Sequence, residues 1–176
     1  MSWRSTKAFS SGLTAIAFAC GLSLMASQAR AQQHTADAAI RPFKFLAGIW
    51  SGTGLITMQD GARDRIRCRG TYAVHGGGDN VLLELRCASD SYKFELSSDI
   101  TQSGGHLRGN WSENTRHIGG TVSGRATSSS IQARAESDIF TALLAVNTHG
   151  DRQTVSIQSP GSEMSEVSIS LTRGSR

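Results

Sequence analysis

Residues 43–58 have the sequence FKFLAGIWSGTGLITM and combine two patterns. The first four residues form a short, mainly apolar run. After it, Trp50, Gly52 and Gly54 recur at every second position, which is the spacing that places side chains on one face of a β-strand. The stretch therefore predicts an apolar turn followed by a first strand at 49–58, with the two glycines as points of curvature on its core face.

The same alternation continues to the end of the chain. Ten segments with a period of two are separated by short runs rich in Gly, Asp, Ser and Asn, which are the residues that tight turns require. The segments are 49–58, 64–74, 80–88, 91–101, 106–113, 116–126, 130–136, 139–148, 153–159 and 165–172. Because no long helical pattern interrupts them, the sequence predicts an all-β fold: an antiparallel up-and-down β-barrel of about ten strands.

The turns also predict how neighbouring strands pair. Centring the second turn on Gly77-Gly78 places Cys68 opposite Cys87, and two cysteines in an exported chain are expected to form a disulfide. Further pairs follow from the other turns: Leu85 with Phe94, Ile100 with Leu107, Trp111 with Ile118, Gly124 with Ala133, and Val146 with Val155. All of them keep the apolar residues on one face, which supports an antiparallel meander.

The first 31 residues resemble a secretory signal peptide. A basic start precedes an apolar stretch, and Ala29-Arg30-Ala31 matches the small-x-small cleavage pattern. We therefore expect a periplasmic or secreted protein with three parts: a cleaved signal peptide at 1–31, an N-terminal segment with a short helical turn at 32–47, and a β-barrel domain at 48–173.

The charge of the mature chain is nearly balanced. The whole chain has 18 Lys and Arg against 14 Asp and Glu, and removing Arg4, Lys7 and Arg30 with the signal leaves 15 against 14. This balance does not favour nucleic acid as a partner. Aromatic residues are 6% of the chain, too few for the two girdles of a membrane barrel, so we expect a soluble barrel that is not membrane-spanning.

The residues Gly48-Ile49-Trp50 resemble the Gly-x-Trp motif that opens the first strand of lipocalins and the wider group of calycin barrels. The resemblance implies that a short 3₁₀ turn closes one end of the barrel. It also implies that Trp50 packs at the barrel base, with Arg173 beside it. Lipocalins have eight strands and a C-terminal helix, and that helix is not readable in this sequence.

The stretch FLAGIWSGTG also resembles the first strand of nitrobindin-type barrels, which have ten strands and bind haem through a histidine near the C-terminal strands. The last strand here, EVSISLTR, contains no histidine. The resemblance therefore implies no haem-binding histidine in this chain, and we expect no cofactor.

The core face is bulky in the second to fourth segments and small in the fifth to eighth. The small residues are Gly109, Gly120, Gly124, Ala133, Ala135 and Ala142. This pattern predicts either space on one side of the interior, or glycines that let the strands coil while larger side chains fill the gap. With the calycin resemblance, the first alternative predicts a barrel that binds a small apolar or amphipathic molecule, lined by Trp50, Tyr72, Phe94, Trp111 and Phe140.

A protein-binding module is the alternative function. Residues 32–44 precede the first strand and are similar in position to the N-terminal tail through which small exported inhibitors of metalloproteases act. A partner can also contact an acidic rim at the predicted mouth: Asp60, Asp90, Glu113, Asp138, Glu163 and Glu166.

Four arginines line the outer side of the second segment: Arg63, Arg65, Arg67 and Arg69. They predict either a stripe for an acidic partner or a solvated face near Glu84 and Glu95.

Catalytic and metal-binding patterns are not found in the sequence. His75, His106 and His149 fall on separate turns at one end of the meander, and no HxH or paired-cysteine spacing accompanies them. The serines lack a G-x-S-x-G elbow. We therefore expect no catalytic residues and no metal.

Overall fold

The computed structural model describes residues 41–175, which form a closed antiparallel β-barrel. The strands are β1 (Gly48–Met58), β2 (Arg63–His75), β3 (Asn80–Ala88), β4 (Lys93–Ser103), β5 (His106–Glu113), β6 (Ile118–Ala126), β7 (Ser130–Glu136), β8 (Thr141–His149), β9 (Arg152–Gln158) and β10 (Met164–Arg173). Each strand pairs with its neighbour in sequence, and β1 closes the barrel on β10. The predicted fold is confirmed. No helix in this part of the chain is long and apolar enough to cross a membrane.

Residues 41–47, which we call the plug, cover one end of the barrel. The amide of Lys44 donates to Arg41 O at 3.2 Å and the amide of Leu46 donates to Phe43 O at 2.9 Å, so the plug contains a tight turn. Phe43 and Leu46 are buried in the interior. We call this the plugged end. The predicted signal peptide at 1–31 and residues 32–40 lie outside the described residues.

Trp50 lies at the base of the plugged end, as the calycin resemblance implies. It is fully buried, and its Nε1–H donates to Leu46 O at 2.7 Å. The guanidinium carbon of Arg173 lies 4.5 Å from the centre of the Trp50 ring. Arg173 also donates to Ala47 O at 2.8 Å and to Phe45 O, so it joins the end of β10 to the plug. The predicted contact between Trp50 and Arg173 is confirmed.

The predicted disulfide joins neighbouring strands inside the barrel. Cys68 on β2 is directly opposite Cys87 on β3, their Cα atoms are 4.1 Å apart, and they are bonded. Both cysteines are buried among apolar side chains. The predicted pairs of Gly124 with Ala133 and of Val146 with Val155 are also confirmed.

Three predicted pairings are wrong by two residues. The structure pairs Leu85 with Leu96, Ile100 with Gly109, and Trp111 with Gly120. A side chain makes the turn between β3 and β4 wider than the sequence suggests, because Ser89 Oγ accepts from the amides of Ser91 at 3.2 Å and Tyr92 at 2.9 Å. The turn between β4 and β5 stays tight, since Ser103 pairs with His106, and the error there comes from placing the centre of the turn one residue too early. Since a shift of two keeps each side chain on its face, the predicted core face is unaffected.

The disulfide is expected to contribute strongly to stability. Its cysteines are 19 residues apart, and closing a loop of this length stabilises the folded state by about 3 kcal/mol through the entropy of the unfolded chain. Replacing both Cys68 and Cys87 with alanine should lower the free energy of unfolding in urea by about that amount. The unsubstituted chain in strong reductant should lose a similar amount, and equal midpoints with and without reductant would contradict this role.

The interior contains two groups of buried apolar side chains. The larger one is formed mainly by the plug, β1, β2, β3 and β10, and includes Trp50, Ile56 and Ile66. The smaller one, which we call the β5–β8 group, has one residue on each of four consecutive strands: Trp111, Val122, Ala135 and Ala142. Bulky side chains therefore fill one side of the barrel, while small ones line the other.

Candidate functional site

The candidate site is the interior of the barrel beside the β5–β8 group. Several residues of the core face here are only half-buried, although they pack against the buried groups: Leu96, Ile100, Leu144 and Ile157. On the opposite side, Ile66, Ile169 and Leu171 of the same face are 1–3% exposed. Partial exposure of these four side chains means that a water-sized molecule reaches part of their surface. Val74 and Leu83 on the bulky side are partly exposed in the same way.

Two polar side-chain atoms adjoin this region without a hydrogen-bond partner among residues 41–175: Ser98 Oγ and Trp111 Nε1. Ser98 on β4 is directly opposite Trp111 on β5, and both lie on the core face. A buried donor without an acceptor destabilises a fold by about 1–3 kcal/mol, so buried polar atoms are usually paired. Two unpaired buried atoms on paired residues are therefore the chemical feature of this part of the interior. Trp111 Nε1 lies beside Gly120 on β6, and Ser98 is on β4, on the other side of Trp111.

The five aromatic residues predicted to line a ligand do not converge. Trp111 and Phe140 meet in the β5–β8 group, with ring centres 5.6 Å apart. Trp50 and Tyr72 meet at the plugged end with ring centres 6.2 Å apart, and Phe94 lies opposite Cys87. Trp111 and Phe140 thus adjoin the unpaired atoms, while Trp50 and Tyr72 belong to the closed end.

Tyr72 takes part in a polar link across the plugged end. Its hydroxyl donates to Gln153 Oε1 at 2.7 Å, and Gln153 Nε2 donates to Thr148 Oγ1 at 3.1 Å. Burial raises the pKa of Tyr72 far above its ordinary value, and the hydrogen bond to Gln153 offsets only part of this, so the phenol stays neutral. The polar atoms that join Tyr72, Gln153 and Thr148 are hydrogen-bonded to one another, whereas Ser98 Oγ and Trp111 Nε1 have no hydrogen-bond partner among residues 41–175.

A cavity of about 330 Å³ opens at the plugged end, between the plug and the turns that follow β6 and β8. Its apolar lining includes Leu46 from the plug, Ile131 from β7 and Val146 from β8. Ile131 and Val146 are paired, and the next core-face pair along these strands is Ala133 with Leu144. The sequence predicted that this end is closed. Seven residues of plug are too few to cover the rim of a ten-stranded barrel, so one side of it stays open.

Glu113 is one of the six acidic residues predicted for the rim, but it has a structural role. It is 8% exposed, and its carboxylate accepts from the amides of Glu95 at 2.9 Å, Thr115 at 3.1 Å and Arg116 at 2.8 Å. The Thr115 hydroxyl donates to it at 2.6 Å. Glu113 therefore shapes the turn between β5 and β6. The other five are exposed or half-exposed: Asp60, Asp90, Asp138, Glu163 and Glu166.

The hydrogen bonds of Glu113 predict a dependence of stability on pH. Burial alone would raise the pKa of this carboxyl, but the bonds from Thr115 and from the three amides outweigh it and lower the pKa below the ordinary value of 4.5. A carboxyl with a lowered pKa contributes stability above its unfolded pKa, and the contribution is lost as pH falls from about 4.5 through the folded pKa. The unfolding free energy of Glu113→Gln should therefore change less over this range than that of the unsubstituted chain.

The matched control for Glu113 is Glu136→Gln, because Glu136 is exposed and pairs with Arg134 on its own strand. Urea unfolding at a series of pH values from about 7 to 3 compares the two variants. Glu136→Gln should keep the acid-dependent loss, and Glu113→Gln should be less stable at pH 7 by about 1–2 kcal/mol. Identical pH profiles for all three proteins would refute this role of Glu113.

The predicted partner segment and the histidines are separate from the interior site. Residues 41–44 of the segment 32–44 belong to the plug, so a protein partner at 32–40 stays a prediction. His75, His106 and His149 are exposed at the plugged end. Among residues 41–175, no three His, Cys, Asp or Glu side chains are grouped closely enough to hold a metal ion.

Comparison with known proteins supports the fold. No protein-family model matches the chain, and no curated protein matches it in sequence. Among solved structures, the chain is similar to the crystal structure of Rv2717c from M. tuberculosis, with a TM-score of 0.60 and 13% sequence identity. The match covers 74% of this chain and 93% of that chain. At this identity the likeness shows the fold alone, a closed β-barrel.

Proposed function

We propose that this protein is an exported carrier or sequestering protein that binds a small, partly apolar molecule inside the barrel, beside the β5–β8 group. The observation that carries the proposal is the pair of unpartnered polar atoms, Ser98 Oγ and Trp111 Nε1, on an otherwise apolar face. Both atoms are buried, so a molecule with acceptor oxygens would have to displace the side chains that cover them in order to accept from the Trp111 N–H and the Ser98 O–H. The rest of that molecule would contact apolar side chains.

The surrounding residues support an apolar body for this molecule. The rings of Trp111 and Phe140 form an aromatic wall, and Leu96, Ile100 and Leu144 adjoin it. Small-molecule sites typically combine such a lining with a few polar groups that fix orientation. Partial exposure of the three aliphatic side chains is consistent with space that a ligand would fill.

We propose that the ligand reaches this site through the cavity at the plugged end. The cavity is lined by Ile131 and Val146, and the core face continues from them along β7 and β8 through Ala133 and Leu144 to Ala135 and Ala142. Small residues along this line leave the least obstruction. Export is supported by the disulfide between Cys68 and Cys87, since such bonds persist mainly outside the cytoplasm.

Two fluorescent probes test the proposal on the full chain. Prodan is an apolar naphthalene with a carbonyl acceptor, and N-phenyl-1-naphthylamine has no carbonyl. Both should bind saturably, and prodan should bind more tightly. Ser98→Ala and Trp111→Phe should each weaken prodan binding by about five- to tenfold, the value of one hydrogen bond, and affect the second probe less.

Ser97→Ala is the matched control, because Ser97 is the neighbour of Ser98 on the outer face of the same strand. This variant should bind both probes like the unsubstituted chain. A lack of saturable binding of either probe would refute the interior site. Equal prodan affinity in the unsubstituted, Ser98→Ala and Trp111→Phe proteins would refute the role given to the polar pair.

A further inference from the structure

The outer face of β2 and β3 carries five exposed arginines, which we call the arginine row. Four of them alternate along β2, and the fifth, Arg86 on β3, is directly opposite Arg69. The four on β2 are Arg63, Arg65, Arg67 and Arg69. Because a strand advances about 3.3 Å per residue, alternate side chains are about 6.6 Å apart and the four span about 20 Å.

The arginine row is not neutralised by ion pairs within the described part of the chain. None of its five side chains forms a salt bridge with another residue in 41–175. Glu95 is directly opposite Arg86, close to the row as the second alternative predicts, and its ion pair is with Lys93 at 3.0 Å. Glu84 is opposite Thr71.

Repulsion within the row works against the folded barrel. Arg69 and Arg86 place like charges directly opposite each other, an arrangement that destabilises a sheet. A solvated face that only prevents edge pairing does not explain five cations here, because β2 is paired on both sides in a closed barrel. The row therefore has the properties of a surface that is complementary to an extended anion.

The side chains beside the row on β1 are mostly hydroxyls, whereas on the other side Glu84 lies two residues from Arg86 and Glu95 is opposite it. On β1, Ser51, Thr53 and Thr57 are directly opposite Arg69, Arg67 and Arg63. On β10, Thr172 and Ser170 continue this hydroxyl face beyond Ser51 and Thr53. Leu55, opposite Arg65, is only half-exposed. The surface thus combines a line of cations with flanking hydroxyl groups that both donate and accept hydrogen bonds.

We propose that the arginine row binds a linear anionic polysaccharide laid along β2, with the hydroxyls of β1 and β10 contacting its sugars. Guanidinium groups bind sulfate, phosphate and carboxylate oxygens in bidentate geometry, and the regular spacing of the row suits charges repeated along a chain. Single-stranded nucleic acid also needs aromatic platforms for base stacking, and a bilayer surface favours exposed apolar anchors. The residues of β1 directly opposite the row include no aromatic ring, and the apolar one among them, Leu55, is only half-exposed.

Heparin is the probe for this surface, and the full chain is used throughout. We expect saturable heparin binding that weakens with salt. Replacing Arg65 and Arg67 together with glutamine should weaken binding about tenfold or more and lower the slope of log affinity against log salt by about two. The double variant with Arg65→Lys and Arg67→Lys keeps the charge but loses the planar guanidinium. Its heparin affinity should lie between that of the unsubstituted chain and that of the glutamine pair.

Arg108→Gln with Arg125→Gln is the matched control, since these arginines lie on the outer face of β5 and β6, away from the row, and the same two charges are lost. This pair should change heparin affinity by less than about twofold if binding is local to the row. Equal losses in the two glutamine pairs would show a response to net charge and would overturn the proposal. Tighter binding of single-stranded DNA or of anionic lipid vesicles than of heparin would overturn it as well.

Discussion

Replacing Trp50 with alanine is expected to lower the free energy of unfolding by about 4 kcal/mol, a large loss for a single substitution. Trp50 is fully buried, and its ring lies beneath Arg173 and edge-on to Tyr72. The substitution removes this packing together with the hydrogen bond from Nε1 to Leu46 O. Urea unfolding measures the loss.

The same substitution should release the plug from the barrel. Hydrogen exchange at the amide of Leu46, which donates to Phe43 O, reports this directly and should accelerate in Trp50→Ala. Trp111→Phe is the control, because Trp111 is buried in the β5–β8 group, whereas the plug residues Phe43 and Leu46 belong to the larger group. Continued protection of Leu46 in Trp50→Ala would contradict the view that Trp50 holds the plug.

Gly52→Ala is expected to destabilise the barrel by about 3 kcal/mol or more, at the upper end of overpacking effects. A Cβ at this position would lie 1.9 Å from the backbone oxygen of Ser170 on β10. Because a backbone oxygen held in the sheet cannot move aside, β1 and β10 would have to separate. Gly52 thus permits the close approach that closes the barrel.

Gly70→Ala is the matched comparison for Gly52→Ala. Gly70 on β2 is opposite Trp50, which is two residues before Gly52 on β1, and a Cβ at Gly70 would meet only side-chain carbons, those of Leu85 at 3.5 Å and Tyr72 at 3.7 Å being the nearest. We expect the free energy of unfolding of Gly70→Ala, measured by the same urea unfolding, to differ from that of the unsubstituted chain by less than about 1 kcal/mol. Similar losses in both variants would mean that the contact with Ser170 does not decide the effect.

Much of the fold was predictable because the period of two is a property of sequence alone. In β2 and β3, residues facing the interior alternate with residues facing outward. Two adjacent glycines mark the turn between these strands, and this turn predicts that Cys68 pairs with Cys87. Two of the three wrong pairings lie where a side chain widens a turn, as Ser89 does between β3 and β4 and Glu113 does between β5 and β6. Such hydrogen bonds depend on the three-dimensional positions of the side chain and the amides, so the residue types in a turn predict them only weakly. The third wrong pairing lies at the tight turn between β4 and β5, whose centre is one residue later than predicted.

The candidate site was predictable only in part. Trp111 and Phe140 were expected in the interior, but alternation assigns a face and does not tell whether an aromatic ring packs on neighbours or adjoins open space. Ser98 was missed, although a polar residue between Leu96 and Ile100 on an apolar face was an available signal. The glycine pattern was ambiguous for a physical reason. A Cβ at Gly120 would lie 1.7 Å from Glu136 O, so this glycine serves strand packing whether or not the interior is hollow.

The stability of Ala133→Ile tests the central claim, that the interior is open beside the β5–β8 group, most directly. Ala133 is a half-buried residue of the core face, paired with Leu144. If the space exists, isoleucine fills it, abolishes prodan binding and leaves the free energy of unfolding unchanged or raised by up to about 2 kcal/mol. Ala73→Ile, on the exposed outer face of β2, controls for strand propensity. A loss of about 1–3 kcal/mol in Ala133→Ile alone, the effect of overpacking a filled core, would contradict the account.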